Sequence, residues 1–147
     1  MDPKGTTPAM TPHDLRHAII HRPSGAPERT RLLGPYLLES LIEPEEERAA
    51  TCYRVRVEPN SRTAVSYHRI AEEFYYVLSG RGTAILDGRP YAVKAGDFLR
   101  LPPGTTHAFA TDDVPLEMLD IHIPGSRPNR DVYFVDGRPE GFSGDAG

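Results

Sequence analysis

Cysteine is nearly absent, no apolar run reaches the length of a membrane span, and basic residues are not in excess. Cys52 is the only thiol, so no internal disulfide can form. With no activating pattern around it, Cys52 reads as a small half-buried strand side chain rather than a nucleophile. The lack of a long apolar run gives no membrane partner, and residues 1–11 lack the apolar centre of a secretion signal, so a cytoplasmic protein is expected. Residues 2–9 have the composition of a disordered leader, which makes Met10 a second candidate start. Seventeen Lys and Arg against 21 Asp and Glu give a net charge of −4, which argues against a nucleic-acid partner. Internal repeats and a nucleotide-binding loop are missing too, and residues 1–48 are too short and irregular for a helical DNA reader.

What the sequence has is punctuation. Its 147 residues suit one domain, and 15 prolines and 13 glycines are spread along them, favouring many short strands joined by turns. Thr11-Pro12-His13-Asp14 reads as a helix start, with residues 15–20 forming a turn or two of helix or an extended arm. Residues 21–29 read as loop, residues 36–42 as a strand of unfixed register, and residues 43–48 as a solvated turn. From residue 50 the pattern is β. Tyr53, Val55 and Val57 alternate with Arg54, Arg56 and Glu58, and residues 63–70 follow as a second strand. Residues 74–78 and 82–86 flank an expected turn at Ser79-Gly80-Arg81, and Asp87-Gly88 signals a tight hairpin. Residues 91–93, 97–101, 107–111 and 116–123 supply further strands, and residues 132–135 interrupt a Gly- and Pro-rich tail. Such spacing predicts an all-β sandwich or barrel.

Two segments carry the chemistry. The first runs Ser66-Tyr67-His68-Arg69-Ile70-Ala71-Glu72-Glu73, followed by six residues and Gly80. The second is Gly96, five residues, Pro102-Pro103-Gly104, two residues, then His107. Residues 66 and 68 of an extended strand share a face, Glu73 opens the next strand after a short turn, and the Pro-Pro-Gly turn fixes the entry of the strand bearing His107. Two imidazoles and a carboxylate brought together in this way suit Fe, Mn, Ni or Zn.

These segments resemble the two motifs of the cupin superfamily, Gly-x5-His-x-His-x(3,4)-Glu-x6-Gly and Gly-x5-Pro-x-Gly-x2-His-x3-Asn. His68, Glu73 and Gly80 match the first, and Gly96, Pro102, Gly104 and His107 the second, with the 15 residues of 81–95 between them. The resemblance covers roughly residues 50–124. It implies an all-β, single-domain double-stranded β-helix, or jelly-roll barrel. Residues 1–30 would be a mostly irregular N-terminal arm, 50–124 the barrel core and 125–147 a C-terminal extension. It also implies a divalent transition metal on His68, Glu73 and His107. Asn60 replaces the first motif glycine, Thr111 the final asparagine, and Ser66 the first metal-binding histidine. The last change leaves two histidines and one glutamate, either a metal site with an extra open position or a site that has decayed. Only Glu73 has the six-residue spacing to Gly80, so Glu72 is assigned a supporting or solvated place.

Tyr53, Ser66, Tyr75 and Phe109 are candidates to line a substrate pocket, with core packing as the alternative for each aromatic. Tyr75 is also a candidate acid. His122 shares a strand face with Leu116, Met118 and Asp120. It either replaces the missing ligand, acts as an acid or base, or is a surface or merely hydrogen-bonded histidine. His13, His17 and His21, spaced by four, would stack on a helix, or else form an accidental cluster in an arm. The leading expectation is a metal-dependent enzyme acting on a small polar molecule, by oxygenase, isomerase, decarboxylase, lyase or cyclase chemistry. The competing one is a barrel that binds or senses a small ligand without turnover. A symmetric homodimer is expected, with residues 32–42 and 132–135 supplying strands that cover sheet edges.

Overall fold

The computed structural model describes residues 12–140 and 142. The expected leader, the second start at Met10 and the Thr11 cap lie outside them. Ten strands order the described chain: β1 (Thr30–Leu33), β2 (Tyr36–Ser40), β3 (Thr51–Val57), β4 (Ser66–Tyr67), β5 (Glu72–Leu86), β6 (Arg89–Lys94), β7 (Phe98–Leu101), β8 (His107–Ala110), β9 (Leu116–Ile123) and β10 (Tyr133–Phe134). All their pairings are antiparallel, in the order β1-β2-β3-β9-β5-β8-β4-β10, with β6 and β7 also on β5.

β5 is the strand that curls this sheet into a barrel. Its first half pairs with β9 and β7, its second half with β6 and β8. The turn expected at Ser79-Gly80-Arg81 is not there; β5 runs through it as one bent strand with a register shift between Val77 and Ser79. A bulge bends a strand without ending it. Gly80 takes φ +78°, a Cβ there would run into the Pro115 carbonyl, and the Gly80 carbonyl accepts the Ala95 amide. The hairpin at Asp87-Gly88 forms as expected, both residues having positive φ (49° and 79°).

The strand expected over residues 63–70 is shorter, only Ser66–Tyr67. Past His68 the backbone is gathered into a turn because the Asp131 carboxylate accepts the amides of Arg69, Ile70 and Ala71. Residues 36–42 resolve into the second arm of the β1–β2 hairpin, which places Leu38 opposite Val55 of β3. The segments expected to cover edges do so within their own chain: β2 lies on β3, and β10 pairs with β4. The short helix α1 (Pro12–His17) ends before His21, so the three N-terminal histidines do not share one helix.

Inside the barrel, alternation sorts the side chains. Tyr53, Val55, Val57, Tyr75, Val77, Leu101, Phe109, Leu116 and Met118 form one buried cluster. Outside, Arg54 and Arg56 pair with Glu117. Cys52 is half-buried on the outward face of β3, and burial pushes its thiol up. Among the described residues, no helix is long and apolar enough to cross a membrane.

Candidate metal centre

Three strands lead from the apolar cluster to a polar end. Along β3, β9 and β5 the paired inward positions are Val55, Met118 and Val77, then Tyr53, Asp120 and Tyr75, then Thr51, His122 and Glu73. His68 joins them from the turn after β4, and His107 from the first position of β8, where it lies opposite Ser66.

Glu73 is the hub, only 1% exposed. Its Oε1 lies 3.2 Å from His68 Nε2 and 3.3 Å from His107 Nε2, and its Oε2 lies 2.8 Å from His122 Nε2. The far side of each ring is already committed. His68 Nδ1 donates to the Asp131 carbonyl at 2.6 Å, and His107 Nδ1 to the Thr105 carbonyl at 3.2 Å. His122 Nδ1 is 3.2 Å from Thr51 Oγ1, whose own proton goes to the Ser126 carbonyl, so this ring also donates through Nδ1. In the neutral form, each Nε2 therefore turns a lone pair towards a carboxylate oxygen. Such an array needs protons or a cation between its members.

The electrostatics follow from this crowding. Burial works to raise Glu73, but the adjacent His122 and His107 hold it well below the usual carboxylate range. Burial works to depress His68, but the Glu73 carboxylate beside its Nε2 lifts it above the ordinary value, whereas burial depresses His107. Asp120 is pushed well above its ordinary value by burial and by the charge of Glu73.

The sequence-derived candidates fall as follows. His68, Glu73 and His107 converge, with ligand atoms close enough to hold one ion. Glu72, half-buried, points away from them on the alternating strand. Tyr53, Ser66 and Tyr75 line a cavity of about 70 Å³ beside the cluster. Phe109 does not reach it. Wholly buried, it packs edge-on against Tyr75 at 5.0 Å and leaves the lining to Tyr75. His122 is buried at 5% exposure, not on the surface.

Several residues went unassigned in the sequence reading. Asp120 had a legible signal, a carboxylate at an inward position between Met118 and His122. Asp131 had none: its carbonyl orients His68 and its carboxylate holds the following turn, both across about 60 residues of chain. Arg127, buried at 4%, bonds Glu47, the Ile42 carbonyl and, at 3.4 Å, the Tyr53 hydroxyl.

A curled antiparallel barrel with a buried His/Glu cluster at one end defines the class. Residues 53–122 match the family model for the cupin domain, and this part of the chain is a cupin domain. An uncharacterised protein, MJ1618, of Methanocaldococcus jannaschii is 40% identical over 65 residues, covering 44% of this chain and 52% of that one. The chain spans about half the length of the curated relatives it matches. The nucleoside dehydratase Pac13 of Streptomyces superposes with TM-score 0.59 at 24% identity, covering 78% of this chain and 92% of that one. A cupin-superfamily sugar phosphate isomerase of Silicibacter pomeroyi gives TM-score 0.59 at 22% identity, covering 70% and 67%. At these identities the two structures establish the shared fold.

Proposed function

We propose that this protein is a metal-dependent enzyme acting on a small polar molecule, with the metal held by His68, Glu73 and His107. The observation that carries the reading is Glu73 Oε1: buried, without a hydrogen bond, and flanked by two imidazole Nε2 atoms. A buried carboxylate oxygen left this way is costly unless a cation meets it. Two histidines and one carboxylate fit Fe, Mn, Ni or Zn and leave positions open for substrate. A metal there would supply Lewis-acid polarisation of a substrate oxygen.

The surrounding side chains suit a substrate-handling role. Burial keeps the Tyr75 hydroxyl protonated well past its ordinary value, so it can donate to a substrate oxygen. His122 faces the same cavity and is the candidate acid or base. Tyr53, its hydroxyl 3.4 Å from Arg127, and Ser66 line the same cavity. The fold does not select among isomerase, oxygenase, decarboxylase, lyase or cyclase chemistry. Because Pro128, Val132, Phe134 and Phe142 give the cavity an apolar rim, the second reading is a barrel that retains a small ligand without turnover.

The test is the metal content of protein purified without chelator, for wild type, His68→Ala and His107→Ala, followed by turnover screens of the loaded wild type. Metal bound by the wild type and reduced in both variants, with metal-dependent turnover, is expected. A wild type that stays metal-free after anaerobic loading with Fe(II), Mn(II), Ni(II) and Zn(II) would sink the metalloenzyme and leave the ligand-binding barrel.

A homodimer remains part of the proposal, with its contact moved to the outer face of β5, β7 and β9. There Tyr76, Phe98 and Ile123 are exposed at 48%, 61% and 48%. Exposed apolar side chains on one sheet face suit an association surface. Sedimentation of a monomer at micromolar concentration would contradict it.

A further inference from the structure

We propose that the polar end of the barrel holds a second divalent cation, bound by Glu73 Oε2, Asp120 and His122, with the Glu73 carboxylate bridging the two ions. The inference shares Glu73 with the metal centre proposed above and rests on that reading.

The donor atoms divide into two sets of three: His68, Glu73 and His107, and Glu73, Asp120 and His122. Within each set they lie within 4.8 Å of one another. Glu73 serves both sets with different oxygens, Oε1 towards His68 and His107 and Oε2 towards His122. Asp120 is the independent sign of a missing partner. It is 5% exposed, lines the cavity, and its Oδ1 is buried with no hydrogen bond. Its Oδ2 is 3.7 Å from His122 Nε2, too far for a hydrogen bond but a natural separation for two ligands of one ion. Thr51 fixes the His122 ring so that Nε2, not Nδ1, faces the two carboxylates. The basic side chain of the cavity, Arg127, does not neutralise them, because its donors are turned to Glu47, Ile42 and Tyr53.

Two oxygens and one imidazole suit Mn(II), Fe(II) or Zn(II). Two ions held by these residues would together polarise two oxygens of one substrate. With Nδ1 on Thr51 and Nε2 on the second ion, His122 serves as a ligand instead of as the acid or base, and it does not fill the coordination position that Ser66 leaves open on the first ion.

The test is Mn(II) stoichiometry by anaerobic equilibrium dialysis of the full, metal-stripped chain, with electron paramagnetic resonance at saturation. Two ions per chain and a spin-coupled signal are expected for wild type. Asp120→Asn should fall to one ion with the six-line spectrum of isolated Mn(II), and His107→Gln should also fall to one. His122→Gln repeats the first variant should Asp120→Asn fail to fold, as judged by circular dichroism. A wild type saturating at one ion, or an Asp120→Asn protein retaining two, overturns the second site and leaves the first standing. No bound ion in the wild type overturns both.

Discussion

The two ends of the barrel interior are built from the same strands but do opposite work. At one end Val57 and Leu116 face each other across β3 and β9, with Met118, Val77 and Phe109 packed beside them, all at 1% exposure or less. At the other end the same strands present Thr51 and His122 inward, beside Glu73 of β5. The apolar end gains stability from burial. The polar end spends some of it, since two carboxylates and three histidines are held out of water with unpartnered oxygens on Glu73 and Asp120. Stability and chemistry are thus separated along the barrel axis, and substitutions at the two ends should have separable effects.

The largest effect is expected deep in the apolar end. Phe109→Ala should destabilise the fold by about 3–5 kcal/mol in denaturant unfolding, because it leaves a void under Tyr75. The surviving folded fraction should still bind metal at the wild-type stoichiometry. Next comes Glu73→Gln, which keeps the shape and removes the charge. It should weaken metal binding by more than about 100-fold, beyond what losing a ligand's supporting residue costs, while the metal-free protein stays folded by circular dichroism. Asp131→Ala tests the support of His68. Freeing the turn at residues 69–71 should weaken metal binding by about tenfold in isothermal titration, with little change in unfolding midpoint.

The smallest effect runs the other way. Asp120 has its folded pKa raised above its ordinary value of 3.8, so the stability it lends is present at low pH and lost as pH rises through the raised value. Asp120→Asn should therefore stabilise the metal-free protein near neutrality by roughly 0.5–2 kcal/mol. The gap in Tm from metal-free wild type should widen as pH increases. Glu73, with its pKa lowered, contributes in the opposite sense: its stabilisation is present above its ordinary value of 4.5 and lost on acidification through the folded value. A gap that shrinks with rising pH would contradict the assignment of Asp120.

Much of this arrangement was legible in the chain. Strict alternation marked the inward faces of β3 and β9, and Asp87-Gly88 marked a hairpin, because those signals are local. The spacing of the two motifs placed His68, Glu73 and His107 on neighbouring elements. Ser79-Gly80-Arg81 misled, because a glycine that opens a turn and one that lets a strand bend past Pro115 look alike in sequence. Phe109 misled for a related reason: alternation says which side of a strand faces in, not how deep along the barrel axis it sits. Asp131 and Arg127 could not be found at all, since they act through contacts about 60 to 85 residues away.

The most direct test of the central claim, that the polar end is a metal centre, is X-ray absorption of the metal-loaded protein. The account predicts a shell of nitrogen and oxygen at about 2.0–2.2 Å with outer scattering from imidazole rings, reduced in His68→Ala. A shell without imidazole, or one unchanged by that substitution, would contradict it.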